Sequence, residues 1–160
     1  MAENINVNFV ESQNNQQTQN ASNGPVGTLP TNRNIGKYIL FSILTLGIYD
    51  IVMRCKMVNE LNTVARDGKK AMNYFLALVV AVLLSWVFGV GVIFFLAYSH
   101  VLYSRVGDAL RARGIDYNFG AGTFWGWNIL GVFILVGPFV FIYKLIKAQN
   151  LLNEDYNIRG

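Results

Sequence analysis

The chain of 160 residues is apolar for its size, with 53% hydrophobic residues, only 14% charged residues and a mean hydropathy of +0.35. Soluble domains average about a quarter charged residues, so this composition argues against a water-soluble globule and favours one membrane domain with a tail. The net charge of +4 is modest, and its cations flank apolar runs instead of forming a basic face. Nucleic acid is therefore not a predicted partner.

The first 32 residues form a tail that is rich in polar amides, with eight Asn and four Gln. Disorder is predicted for residues 1–32 because so little apolar surface cannot offset the entropy lost on ordering. The tail also lacks the basic start and apolar core of a signal peptide. A helical membrane domain is predicted for residues 33–160, which hold all thirteen cations against seven acids.

The membrane domain is predicted to carry one unit three times, at about 33–68, 69–114 and 115–160. In each unit an apolar run breaks at glycine, a cation-bearing stretch with helical spacing follows, and the closing glycines are 46 residues apart both times. This pattern predicts an all-α integral membrane protein of three helix–glycine turn–helix repeats, hairpin or kinked, with amphipathic cytoplasmic exit helices. The candidate turn residues are Gly47, Gly89, Gly91, Gly137 and Pro138.

Two topologies fit the apolar runs. The first run, residues 38–53, is shorter than the roughly 20 residues that one crossing needs, whereas residues 71–103 suit two short arms. If every unit enters and leaves on one side, all thirteen cations lie in the cytoplasm, as the positive-inside rule expects. The charges therefore favour three hairpins in the inner membrane with cytoplasmic cationic loops. The alternative is a multi-pass protein with four crossings and both termini outside.

Polar residues recur at matching places in the exit helices. Asn59 and Asn62 of the first unit correspond to Asn150 and Asn153 of the third, three residues apart in both. We interpret them as hydrogen-bonding residues between packed units. The alternative is a polar ligand or ion site at the unit junctions. In the exit helix of the first unit the apolar residues share one face, and Glu60 falls on the other side.

Three further residues are candidates for polar contacts in the membrane. Asp50 interrupts an apolar run, and Arg54 follows it at the spacing of a helical ion pair; the alternative is proton or ion handling. His100 lies near the end of the second run and is predicted to pack through a hydrogen bond, with pH sensing or ligand binding as the alternative. No catalytic set, cofactor site or metal site is predicted, so an enzyme is not expected.

One block of the chain resembles a known family. Residues 42–49 contain T-L-G-I-Y and precede a cationic helix that includes N-E-L-N. This arrangement resembles the prokaryotic integral-membrane family named domain of unknown function 4234, in which an S-I-I-T-x-G-I-Y block precedes an aromatic and cationic helix and a weaker copy follows. The resemblance covers about residues 33–153. It implies a prokaryotic inner-membrane protein and supplies no activity or catalytic residues.

Together these patterns predict a small multi-pass inner-membrane protein that serves as a structural or accessory subunit. Its expected partners are the lipid bilayer, through anionic headgroups, and either further copies of itself or a membrane protein complex. A small channel or transporter component is the alternative, because repeats with broken helices are common in transporters.

Overall fold

The computed structural model describes residues 28–86 and 89–160. Within these ranges the chain is helical and has no strand, which confirms the predicted all-α class. Most of the predicted tail, residues 1–27, lies outside the described residues. The six helical segments, α1 to α6 in chain order, are Ile35–Leu44, Ile48–Val64, Tyr74–Ser85, Val90–Ala112, Ala121–Ile134 and Gly137–Arg159.

The helical segments follow one another in pairs across three short breaks, at residues 45–47, beside residues 86 and 89, and at residues 135–136. Gly47 begins α2 with φ of 90° and Gly89 begins α4 with φ of 73°, a left-handed conformation that glycine adopts without steric cost. In the third break the left-handed residue is Leu135, with φ of 60°. A leucine in that conformation costs about 1–2 kcal/mol.

In the T-L-G-I-Y block, the threonine side chain makes hydrogen bonds across the first break. The Thr45 hydroxyl donates to the Phe41 carbonyl at 2.7 Å and accepts from the Tyr49 backbone N–H at 2.9 Å. It thereby gives a second donor to the Phe41 carbonyl, which already accepts from the Thr45 N–H at 3.0 Å, and satisfies an amide at the start of α2 that a helix end otherwise leaves without a partner. The Gly47 N–H also bonds the Ser42 carbonyl at 2.8 Å. The turn is therefore hydrogen-bonded within itself.

Two other candidate turn glycines act by allowing close packing. A Cβ at Gly91 would overlap the Ala81 carbonyl oxygen and lie 2.6 Å from the Ser85 nitrogen, so α3 and α4 touch along their backbones here. Gly137 packs in the same way against Gly131, where a Cβ would lie 2.7 Å from the Gly137 Cα. Gly137 is thus a contact residue at the start of α6. Pro138 follows it in the first turn of that helix, where its missing N–H is not needed.

The core lies between the three long helices, α2, α4 and α6. Leu61, Leu110 and Leu152 supply one fully buried side chain from each helix. Tyr103 of α4 packs edge-on against Phe141 of α6, with ring centroids 4.9 Å apart. The shorter segments α1, α3 and α5 each pack next to the long helix that follows in the chain and add one buried aromatic residue to this core, Tyr38, Tyr74 and Phe124.

The long helices end together at one end of the bundle. The Arg113 guanidinium, just after α4, donates to the Val64 carbonyl at the end of α2 and to the Asp155 carboxylate of α6, both at 2.7 Å. Arg159 pairs with the same carboxylate and donates to the Arg113 carbonyl at 2.9 Å. Cations near helix C-termini satisfy the last carbonyls and offset the negative end of the helix dipole. We call this the polar end; the three breaks lie toward the opposite, apolar end.

Candidate functional site

Exposed apolar side chains and ion pairs are segregated along the bundle. Large exposed apolar residues gather around the three breaks, in segments 40–52, 75–101 and 125–143. Leu46, Trp86 and Phe133, at or beside the breaks, are 94%, 90% and 87% exposed. Within the described residues of these three segments, Asp50 is the single formally charged side chain. Monomeric soluble proteins rarely expose apolar surface on this scale, and such patches mark contact surfaces for another protein or a membrane.

The ion pair predicted from the spacing of Asp50 and Arg54 is present and joins four helices. Arg54 Nε donates to both Asp50 oxygens, at 3.0 and 2.9 Å. The Tyr38 hydroxyl of α1 bonds the same carboxylate, and Arg54 donates to the Tyr103 hydroxyl of α4 at 2.6 Å. The guanidinium also lies 5.5 Å from the Tyr74 ring centroid of α3. Every partner of Asp50 is thus supplied from inside the fold.

Asn62 takes part in a second cluster near the polar end. Its amide oxygen accepts from the Ala71 N–H at 2.7 Å and from Arg105 at 2.7 Å. Its amide nitrogen donates to the Ala71 carbonyl at 3.1 Å. Arg105 also holds Asp67 through two bonds of 2.7 and 2.8 Å, and reaches the Lys69 carbonyl. This Arg105 cluster fixes the loop between α2 and α3 onto α4.

Asp67 makes the Arg105 cluster sensitive to acid. Hydrogen bonds from Arg105 lower the pKa of Asp67 from 3.8 to about 2. Because the pKa is lower in the folded state, the interaction stabilises the fold above pH 3.8, and this stabilisation is lost as the pH falls toward 2. We expect Asp67→Asn to remove this acid-dependent step at a cost of about 1 kcal/mol or less at pH 7, since Asp67 is one-third exposed. Circular dichroism of detergent-solubilised protein during acid titration measures this loss of stability. An acid transition of Asp67→Asn identical to that of the parent protein would contradict the assignment.

A third cluster surrounds Glu60, which the helical spacing places on the side of α2 opposite its apolar face. Its carboxylate pairs with Arg33 and accepts from Asn153 Nδ2 at 2.9 Å and Gln149 Nε2 at 3.4 Å. The side chains of Glu60 and Arg33 are only 12% and 8% exposed. That side of α2 is covered by α6 and by residue 33. Asn153 does bond between units, as its position predicts.

Three asparagines of α6 hold the chain that precedes α1. Asn157 makes two bonds of 2.8 Å with the backbone N–H and carbonyl of Leu29. Asn153 donates to the Pro30 carbonyl at 2.7 Å, and Asn150 makes two bonds of 3.4 and 3.2 Å with the Arg33 backbone. Residues 28–32, which the sequence assigns to the tail, therefore lie partly docked along α6.

The other predicted polar residues lie at the surface. Asn59 is exposed on α2, and its backbone carbonyl accepts from the Thr63 hydroxyl at 3.1 Å. His100 is exposed on α4 and accepts at Nδ1 from the indole N–H of Trp125 at 3.0 Å. This bond joins α4 to the wide π-helical turn of α5, Phe124–Ile129. His100 thus makes the hydrogen-bonded packing contact that its position predicts.

The space between the long helices is small. Its central cavity measures about 20 Å³ and is lined by apolar side chains with Arg54, Tyr103 and Gln149. That volume holds about one water molecule. Among the described residues, no group of three His, Cys, Asp or Glu could hold a metal ion. The buried polar groups mostly bond one another, so their geometry supports assembly of the bundle.

Several residues that hold these clusters together were missed from the sequence. Arg113 and Asp155 are 42 residues apart, and Asn157 and Leu29 are 128 apart. Local periodicity carries no information about such pairs. The available signal was the polar character of Asn157 on the same α6 face as Asn150 and Asn153.

The family resemblance is confirmed by comparison with protein-family models. The model described as Domain of unknown function (DUF4234) matches residues 33–112, which is half of the chain. The chain therefore belongs to this family. The match covers α1 to α4 with the T-L-G-I-Y block and ends before α5. No curated protein and no solved structure matches the chain.

Proposed function

We propose that this protein is an inner-membrane structural or accessory subunit whose three helical hairpins enter the bilayer from the cytoplasmic face. The observation that carries the proposal is the segregation of exposed apolar side chains around the three breaks and ion pairs at the opposite end. In this arrangement the breaks lie within the bilayer and the cationic loops remain in the cytoplasm. The bundle itself, and not a catalytic centre, is the functional part.

Helix lengths support hairpins over four full crossings. The entering segments α1 and α3 have 10 and 12 residues, which gives about 15 and 18 Å of helix against a hydrocarbon thickness of about 30 Å. Among the described residues, Val90–Ala112 is the one helix long and apolar enough to cross a membrane alone. Its last turns carry Arg105 and Arg111, which suits an end at the membrane surface.

Labelling of single cysteines tests the topology. In a Cys55→Ser background we expect Thr31→Cys, Lys70→Cys and Asp116→Cys to react with a membrane-impermeant maleimide from the same, cytoplasmic side. All three positions are exposed near the polar end of the bundle. Leu46→Cys is the matched control, equally exposed but at a break, and it should resist the reagent from both sides. Labelling of positions 31 and 70 from opposite sides would establish the four-crossing topology instead.

Self-association or complex formation is the second part of the proposal. Residues 40–52 expose several large apolar side chains on a hairpin too short to reach the far side of the bilayer. Neighbouring protein is well suited to cover such a short element. Native mass spectrometry after gentle detergent extraction should find a fixed multimer or a reproducible partner. A monomer without partner would contradict this part of the proposal.

A channel or transporter component is the second candidate, favoured by the Asp50, Arg54 and Tyr103 contacts in the apolar part of the bundle. The small central cavity argues against it. Proteoliposomes separate the two functions, because ion flux that is lost in Asp50→Asn with the assembly intact would support transport. No flux together with a fixed assembly supports the accessory subunit.

A further inference from the structure

A polar groove opens on the side of the bundle where α4, α5 and α6 meet. It has a volume of about 450 Å³, within the range of small-molecule sites. Two cationic side chains line it, Arg111 from α4 and Lys144 from α6. The groove also receives neutral polar or aromatic side chains from Ser104, Asn118, Thr123 and Trp127.

The groove lies at the level where the apolar surface gives way to charge. On α4 the exposed apolar residues end at Val101 and the cations begin at Arg105, and on α6 the exposed Phe139 and Tyr143 come before Lys144, with Ile158 exposed again near the end of the helix. In the membrane orientation proposed above, this is the depth of the lipid headgroups. Tryptophan is enriched at that depth, and Trp127 lies in the groove wall.

Two glycines of the groove wall are unexplained by the fold itself. Gly120 has extended backbone with φ of 165°, which any residue adopts, and Gly122 lies in the first turn of α5 without a positive φ. A Cβ built at either position meets no atom within 4 Å. Neither backbone conformation nor packing therefore requires glycine there. Both glycines line the groove, so a side chain at either position would border its open space.

Gly107 gives the contrasting case in the same groove. A Cβ at Gly107 would overlap the Phe119 carbonyl oxygen, so this glycine lets the segment before α5 lie against α4. It builds the wall, whereas Gly120 and Gly122 leave the space open. The wall continues into the π-helical turn of α5, a type of distortion that is frequent at functional sites.

We propose that this groove binds the phosphate group of an anionic ligand, such as the headgroup of an anionic phospholipid. Arg111 and Lys144 supply charge-assisted donors, and Ser104, Asn118 and Thr123 supply neutral hydrogen-bonding groups. Asp108 pairs with Arg111 through one guanidinium nitrogen, so the ligand uses the remaining donors of that group. The lipid source rests on the membrane orientation proposed above, whereas the phosphate chemistry follows from the groove alone.

Titration calorimetry of the full chain in detergent tests the groove with three probes: dioctanoyl phosphatidylglycerol, dioctanoyl phosphatidylcholine and inorganic phosphate. We expect saturable binding of phosphatidylglycerol and weaker binding of the zwitterionic lipid. Arg111→Gln with Lys144→Gln should weaken it at least about tenfold, because each substitution removes a charged donor. Lys69→Gln with Lys70→Gln is the matched control, with the same charge change on an exposed loop, and it should bind as the parent does.

Gly122→Leu supplies a second, independent variant, because Gly122 lines the groove and a Cβ there meets no atom within 4 Å. It should reduce phosphatidylglycerol binding at least about tenfold while the unfolding transition stays unchanged.

Binding of inorganic phosphate with equal affinity would identify a soluble phosphate as the source. The proposal fails if no probe binds saturably or if the Arg111 and Lys144 variant binds like its control. It also fails if Gly122→Leu alters only the oligomer mass, since the glycines would then be a helix contact. The labelling experiment decides membrane orientation separately.

Discussion

Glu60→Gln is expected to destabilise the protein by about 3 kcal/mol, the scale for removing one partner of a buried ion pair. The substitution keeps the size of the side chain and an acceptor for Asn153, but it leaves the Arg33 guanidinium without its counter-charge. Arg33 is 8% exposed, and one of its terminal nitrogens already lacks a hydrogen-bond partner in the described part of the chain. Its positive charge would therefore be buried without compensation.

The substitution is expected to loosen two contacts in the fold, because Glu60 joins α2 to α6 and to the segment before α1. SDS-induced unfolding followed by circular dichroism measures the stability. Limited proteolysis measures release of residues 29–33, which should be cut faster in the variant. Asp108→Asn is the matched control, since the Asp108 and Arg111 side chains are 61% and 76% exposed. Exposed pairs contribute about 0–1 kcal/mol, so equal losses in both variants would contradict the role given to Glu60.

Gly91→Ala should destabilise the hairpin of α3 and α4 by about 1–3 kcal/mol, the usual range for overpacking. Ordinarily alanine stabilises a helix relative to glycine by about 1 kcal/mol. Here the added methyl group would overlap the Ala81 carbonyl oxygen and approach the Ser85 backbone, neither of which can move without shifting α3. The steric overlap is therefore expected to outweigh the higher helix propensity of alanine, so that the substitution destabilises the protein.

Gly126→Ala is the matched control for this prediction. Gly126 also lies in a helical segment, but a Cβ there meets nothing within 4 Å. Its substitution should leave stability unchanged or raise it slightly. The same unfolding assay compares both variants. If Gly91→Ala were as stable as Gly126→Ala, the backbone contact between α3 and α4 would be refuted.

The helical class and the places where helices break were predictable from the sequence because they depend on local signals. Apolar runs with helical spacing, glycine at 47 and 89, and a threonine two residues before Gly47 all act within one or two turns. The Asp50 and Arg54 pair was predictable for the same reason, since four residues along a helix bring two side chains together.

The third break shows where local signals mislead. Gly137 and Pro138 suggest the turn, yet the left-handed residue is Leu135. Gly137 instead provides a flat surface for Gly131. Sequence cannot distinguish a glycine needed for its backbone angle from one needed for close approach, because both needs select the same residue. Only the position of the neighbouring helix shows that Gly91 is needed for close approach, whereas Gly47 is needed for its backbone angle.

The sequence by itself determined that this protein is helical, that it belongs to its family, and that its charges avoid the apolar runs. The tertiary structure decided what those charges do. Glu60 became a buried partner because α6 covers its side of α2, and Arg113 joined three helix ends because Val64 and Asp155 meet there. It also revealed that Gly120 and Gly122 border open space. Contacts between distant residues arise from packing of whole helices, which leaves no periodic mark along the chain.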